Sequence, residues 1–170
     1  MSTGLVVRAL ATLAALAAFA LPAHAQDYPT RPIRIIVPYT AGGSSDSVAR
    51  TVGDKLQGRL NQSVIVENRP GGNAFIGTEY VAKAPADGYT LLLAGMTTHA
   101  AAPAGTPAPI VAQLHAEVVK AVTQPDVMDS FAQRAMVVAP SESPDAFARM
   151  IKSENERLGQ VIRAAGVEPE

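Results

Sequence analysis

The chain contains no cysteine. Disulfides, a thiolate nucleophile and a thiolate metal site are therefore excluded, and any fold must be held together by packing alone. Positive charge is not in excess either: 14 Lys and Arg stand against 15 Asp and Glu. No basic face is implied, and nucleic acid is not an expected partner. Long apolar runs are confined to the N-terminus. There Arg8 is the sole charged side chain, residues 9–21 carry no charge, and Ala23-His24-Ala25 sets small residues around one arbitrary position. This is the n-region, h-region and cleavage site of a secretory signal; the short run and Pro22 argue against a membrane span. Residues 1–25 are thus expected to be a signal peptide, cleaved to leave Gln26 as the new N-terminus. The 170 residues less these 25 leave 145, with a net charge of about −2 once Arg8 is gone. That length suits one modest domain with one core. No later apolar segment is long enough to cross a bilayer, so the exported protein is expected to be soluble.

What is present is organised around residues 33–48, IRIIVPYTAGGSSDSV. The apolar run Ile33, Ile35, Ile36 and Val37 is cut by Pro38 and opens into Tyr39-Thr40-Ala41-Gly42-Gly43, after which Ser44-Ser45-Asp46 begin a helical pattern. The reading is strand, glycine turn, helix N-terminus. Such a turn offers backbone N–H groups and the positive end of a helix dipole to an anion beyond the strand's C-terminal edge. Val48, Val52, Leu56 and Leu60 recur at four-residue steps and predict an amphipathic helix, with Arg50, Asp54, Lys55 and Arg59 on its surface. Ser44 or Ser45 is expected to cap it and Asp46 to favour its first turn.

The plan then repeats. Residues 63–67, SVIVE, predict a second strand, followed by Asn68-Arg69-Pro70-Gly71-Gly72-Asn73 and a helix from Ala74 to about Ala84. Ala74, Gly77, Val81 and Ala84 form a small-residue face suited to close packing on a sheet. Pro85-Ala86-Asp87-Gly88 turns the chain into a third apolar strand, YTLLLA at 89–94, which ends in Gly95-Met96-Thr97-Thr98-His99. Strands alternating with helices at this spacing give βαβ units and an α/β fold with a parallel-type sheet and flanking helices. Ligands of such sheets bind beyond the C-terminal strand ends, where all three polar turns lie.

At residues 100–109, AAAPAGTPAP, the rhythm breaks into a linker-like run. Thr106 is expected to cap a helix with Pro107 in its first turn. Val111, Leu114, Val118 and Val122 stripe that helix; a shorter one is expected from Pro125 to Ala135 with Val127 and Phe131 inward, and residues 136–139 read as one more short strand. The last helix is expected to start with Ser143 as cap and Pro144. It would bury Phe147, Met150, Ile151, Leu158, Val161 and Ile162, and end at Gly166 as a left-handed cap.

Four stretches together resemble the solute receptors of tripartite tricarboxylate transporters, a large bacterial periplasmic family. They are Tyr28-Pro29-Thr30-Arg31-Pro32-Ile33 leading to Val37-Pro38-Tyr39 and Gly42-Gly43-Ser44-Ser45-Asp46; Val66-Glu67-Asn68-Arg69-Pro70-Gly71-Gly72-Asn73; Ala86-Asp87-Gly88-Tyr89-Thr90-Leu91-Leu92; and Pro103-Ala104-Gly105-Thr106-Pro107. The resemblance implies a type II periplasmic-binding-protein fold in the periplasm. It also implies a small carboxylate as ligand, held by turn amides, hydroxyls and ordered waters, and membrane transporter subunits as partners. No cofactor or metal is implied. By position, Tyr39, Gly43, Ser44, Ser45 and Asp46 match the first binding turn, Asn73, Ala74 and Phe75 the second, and Thr97 and Thr98 the third.

Members of that family are about twice as long, with a second lobe inserted where only residues 96–102 stand here. The expected organisation is therefore a signal peptide at 1–25, an N-terminal βαβ part of one lobe at 26–99, a linker at 100–109 in place of the missing lobe, and a C-terminal helical part at 110–170 packing back on that lobe. Binding would be weakened or lost, unless a homodimer builds a cleft from two half-sites. Two other classes compete with this reading. Ser44 or Ser45, His99 and Asp46 contain the ingredients of a hydrolase triad, but no Gly-x-Ser-x-Gly elbow surrounds the serines. A small envelope interaction module without solute capture is the other. His99 lies in the junction and His115 on a helix surface, with no ligand cluster for a metal.

Overall fold

The computed structural model describes residues 28–94 and 99–164. The chain divides into two units, Met1–Thr30 and Arg31–Glu170. The first is described only at residues 28–30; the signal-peptide segment, Thr97, Thr98 and Gly166 lie outside the described residues.

In the second unit the elements run β1 (Ile33–Val37), α1 (Ser44–Leu60), β2 (Val64–Asn68), α2 (Phe75–Ala82), β3 (Thr90–Ala94), β4 (His99–Ala101), α3 (Ala108–Val122), α4 (Pro125–Ala132) and α5 (Pro144–Ala164). The four strands form one sheet in the order β2-β1-β3-β4. β1 is parallel to β2, with Val37 opposite Asn68, and parallel to β3, with Ile36 opposite Leu92. β4 runs antiparallel to β3 and pairs His99 with Ala94. The α/β class with flanking helices is as the sequence predicts, and β4 makes the sheet mixed.

Alternation along β1 decides which helix covers which face. Ile35 and Val37 are buried with Val48, Ala49, Val52 and Leu56 of α1, Leu93 of β3, Ala121 of α3, and Val127 and Phe131 of α4. Ile36 points the other way and packs with Val81 of α2 and Leu92 of β3. Each fully buried Val, Leu or Phe of this core contributes about 1.5–3 kcal/mol. Two side-chain ion pairs tie α1 to the C-terminal helices: Lys55 Nζ to Asp126 Oδ2 and Arg59 Nε to Glu117 Oε2, both at 2.6 Å.

On the second face α2 approaches very closely because residue 77 has no side chain. A Cβ on Gly77 would stand 2.8 Å from Pro38 Cβ and 2.9 Å from the Arg69 carbonyl oxygen. That contact seats the start of α2 against the residue that ends β1.

Four local expectations are corrected. The N-cap of α1 is Gly43 and makes no side-chain cap, so neither Ser44 nor Ser45 serves; both already lie inside the helix. The N-cap of α3 is Pro107, while Thr106 Oγ1 donates to the Pro103 carbonyl at 2.8 Å. Residues 136–139 form no strand, although Met136 and Val138 pack on the core. Finally, Met150, Leu158 and Val161 of α5 are exposed, because only the start of that helix meets the body. Ser143 does cap α5, accepting the Ala146 N–H at 3.1 Å.

Candidate functional site

The order β2-β1-β3 means that the chain leaves β1 toward one side of the sheet and arrives at β3 on the other. The C-terminal ends of β1 and β3 therefore flank the point where winding reverses, the place where open α/β sheets admit ligands. Residues 39–43 leave from that point, and residues 71–74 leave from the neighbouring end of β2.

The first turn is held from beneath by Asp46. Asp46 is 5% exposed, and its carboxylate accepts the Gly42 N–H at 2.9 Å. The same group takes a two-pronged contact from Arg50, Nη2 to Oδ1 at 2.9 Å and Nε to Oδ2 at 3.1 Å. The Arg50 hydrogen bonds, then the Gly42 amide, hold the Asp46 carboxyl at a pKa of about 2. Arg50 Nη2 also donates to Asn68 Oδ1 at 3.1 Å, and Asn68 Nδ2 donates to the Tyr39 carbonyl at 3.1 Å. A closed chain of polar contacts thus runs from the first turn through α1 to the end of β2 and back. Gly42 takes φ +85°, which a side-chain-bearing residue adopts only at a cost.

The second turn is backbone-strained. Gly71, Gly72, Asn73 and Ala74 all have positive φ, and Ala74 stands at +75° as the N-cap of α2 without a side-chain cap. An alanine in this region costs roughly 1–2 kcal/mol. The turn closes through Phe75 N–H to the Gly72 carbonyl at 2.9 Å. Its base is fixed by Arg69, whose N–H donates to the Val37 carbonyl at 2.8 Å and whose guanidinium lies 3.7 Å from the Tyr80 ring centroid.

Of the residues singled out from sequence, Tyr39, Gly43, Ser44, Ser45 and Asp46 sit on the first turn and Asn73, Ala74 and Phe75 on the second, at the C-terminal ends of adjacent parallel strands. Tyr39 and Phe75 expose their rings, Phe75 at 65%. Asp46 is engaged below the turn, where both its oxygens are taken. Its partners there are the Gly42 amide and the Arg50 guanidinium. Arg50 and Asn68 were not among the sequence candidates; the i,i+4 spacing of Asp46 and Arg50 is the signal that marks the first. His115 is half-buried and faces Ser141, with Nε2 3.1 Å from its carbonyl oxygen. Among the described residues no group of three His, Asp or Glu side chains is placed to hold a metal.

Residues 48–102 match the profile described as "Tripartite tricarboxylate transporter family receptor". Protein BugT of Bordetella pertussis is 52% identical over 79 residues, which are 46% of this chain and 24% of that protein. A UPF0065 protein of Agrobacterium vitis is 50% identical over 82 residues, again 46% of this chain and 24% of the relative. The chain thus spans about a quarter of the length of these relatives. Among solved structures, the periplasmic binding protein BugD is 45% identical with a TM-score of 0.37, covering 38% of this chain and 22% of that one. MatC from Rhodopseudomonas palustris with bound malate is 34% identical with a TM-score of 0.37, at the same coverage. Over residues 48–102 the chain is thus similar to the receptors of the tripartite tricarboxylate transporter family.

Proposed function

We propose that the turns beyond β1 and β2 form one side of a site for a small carboxylate, of the kind a periplasmic receptor uses to supply a tripartite tricarboxylate transporter. The observation that carries the reading is the pairing of two helix starts. α1 and α2 begin at the C-terminal ends of adjacent parallel strands, and neither N-cap, Gly43 or Ala74, offers a side chain to the first-turn amides. The first-turn amides of α1 and the positive ends of the two helix dipoles suit an anion, the Phe75 N–H of α2 being already given to the Gly72 carbonyl. The Ser44 and Ser45 hydroxyls add donors at the same place, and the exposed rings of Tyr39 and Phe75 favour a carboxylate with a short apolar stem. Thr97 and Thr98 supply the third turn in this reading. Asp46 serves it from below, as the residue that positions Gly42.

In the 170 residues considered alone, the ligand meets one rim and not two. Each hydrogen bond to a charged group is worth roughly 1.5–3 kcal/mol, so two bonds from an opposing lobe amount to about 3–6 kcal/mol. Their loss turns a micromolar site into a millimolar or weaker one. We therefore read residues 100–109 as the junction where a second lobe is absent and residues 110–170 as the helices that return to the first. Isothermal titration with di- and tricarboxylates, acidic amino acids and aromatic acids tests this. Millimolar, saturable binding is expected; micromolar binding by the monomer contradicts the half-site, and absence of binding to every acid contradicts the carboxylate reading.

A further inference from the structure

α5 is the longest helix of the described chain and leaves much of its apolar face uncovered. Its 21 residues span about 31 Å at 1.5 Å per residue. Phe147 and Ile151, near its start, are half-buried, whereas Met150, Leu158 and Val161 are 46%, 46% and 53% exposed. Met150, Glu154, Arg157, Leu158 and Val161 recur at three- and four-residue steps and share one side of the helix. Four of them, Met150, Glu154, Arg157 and Val161, run apolar, negative, positive, apolar. Read backwards, the same order is its own complement.

We propose that this stripe is a self-association surface, on which α5 of a second copy lies antiparallel across a two-fold axis midway between Asn155 and Glu156. In that register Met150 meets Val161 of the second copy and Glu154 meets Arg157 of the second copy, and the symmetry makes each contact twice. Both charged heads stand in place for this: Arg157 Nη2 donates to Glu154 Oε2 at 2.8 Å, with the two side chains 61% and 51% exposed. A membrane surface suits the stripe less well, since it would receive opposite charges in the middle of the apolar face. The proposal stands on α5 alone and does not depend on the carboxylate site. One helix pair of this length falls at or below the roughly 1,000 Å² that marks a stable interface. The association is accordingly weak and reversible, in the micromolar range.

Sedimentation equilibrium of the purified chain at rising concentration tests it. The average mass is expected to climb toward twice that of the monomer. Glu154→Arg sets like charges opposite each other and should hold the protein monomeric, while adding Arg157→Glu to it restores complementarity and the dimer. Met150→Asp should also abolish association. These side chains are exposed, so helical circular dichroism should be unchanged in all three variants. A monomer at every concentration overturns the proposal, whether because another partner covers the stripe or none does. So does a dimer that ignores the single charge swap or is not recovered by the double one.

Discussion

Asp46 sits beneath the first turn with both carboxylate oxygens occupied, and this placement has a pH signature. Its folded-state pKa is about 2 against 3.8 for the free side chain. Between those values the unfolded chain binds more protons than the folded one. The stability supplied by the group is therefore complete above about pH 4 and is lost as pH falls toward about 2. Chemical unfolding followed between pH 5 and 2 should show that decline, and Asp46→Asn should flatten it. At neutral pH the same substitution should lower the unfolding free energy by about 1.5–3 kcal/mol, the range for a hydrogen bond to a charged group, since Arg50 is half-exposed and regains water. Ala74 makes the opposite case. Ala74→Gly removes the left-handed strain and should raise stability by about 1 kcal/mol in urea denaturation. The sequence displays the i,i+4 spacing of Asp46 and Arg50, but it does not reveal that Asn68 receives the other side of the guanidinium. That contact exists only because β1 and β2 are neighbours with Val37 opposite Asn68.

Two glycines at the element scale separate packing from propensity. Gly77 is pressed on Pro38 and the Arg69 backbone, so Gly77→Ala should destabilise the fold by about 1–3 kcal/mol through overpacking. Gly58 lies in α1 with open space around it, and Gly58→Ala should stabilise by roughly 0.5–1 kcal/mol. Thermal unfolding of the two variants side by side reads both signs. The elements most legible from sequence are those whose apolar periodicity coincides with burial, such as β1 and the Val48, Val52 and Leu56 face of α1. β4 was not legible: His99-Ala100-Ala101 has no β-branched or aromatic residue, and it is a strand because it meets the edge of β3. The run at 136–139 shows the converse, with apolar residues that pack on the core without joining the sheet. α5 has a clear helical period, yet period alone does not state whether anything covers the apolar side.

At the scale of the whole molecule, two parallel crossovers bring two turns from separate parts of the chain to one end of the sheet, and α3 and α4 complete the core on the α1 face. The arrangement was readable because strand, turn and helix alternate at βαβ spacing. The third turn, with Thr97 and Thr98, lies outside the described residues. Expression with an intact N-terminus and mass analysis of the secreted product should give a chain beginning at Gln26; a product that retains residues 1–25 would contradict the signal-peptide reading. The carboxylate rim is tested most directly by following backbone amide shifts on titration with succinate, against chloride at matched ionic strength. Saturable, millimolar shifts of the Gly43, Ser44 and Ser45 amides together with those of Asn73, Ala74 and Phe75 are expected. Amides that stay still in both turns at saturating succinate, or shifts equal to those in chloride, would contradict it.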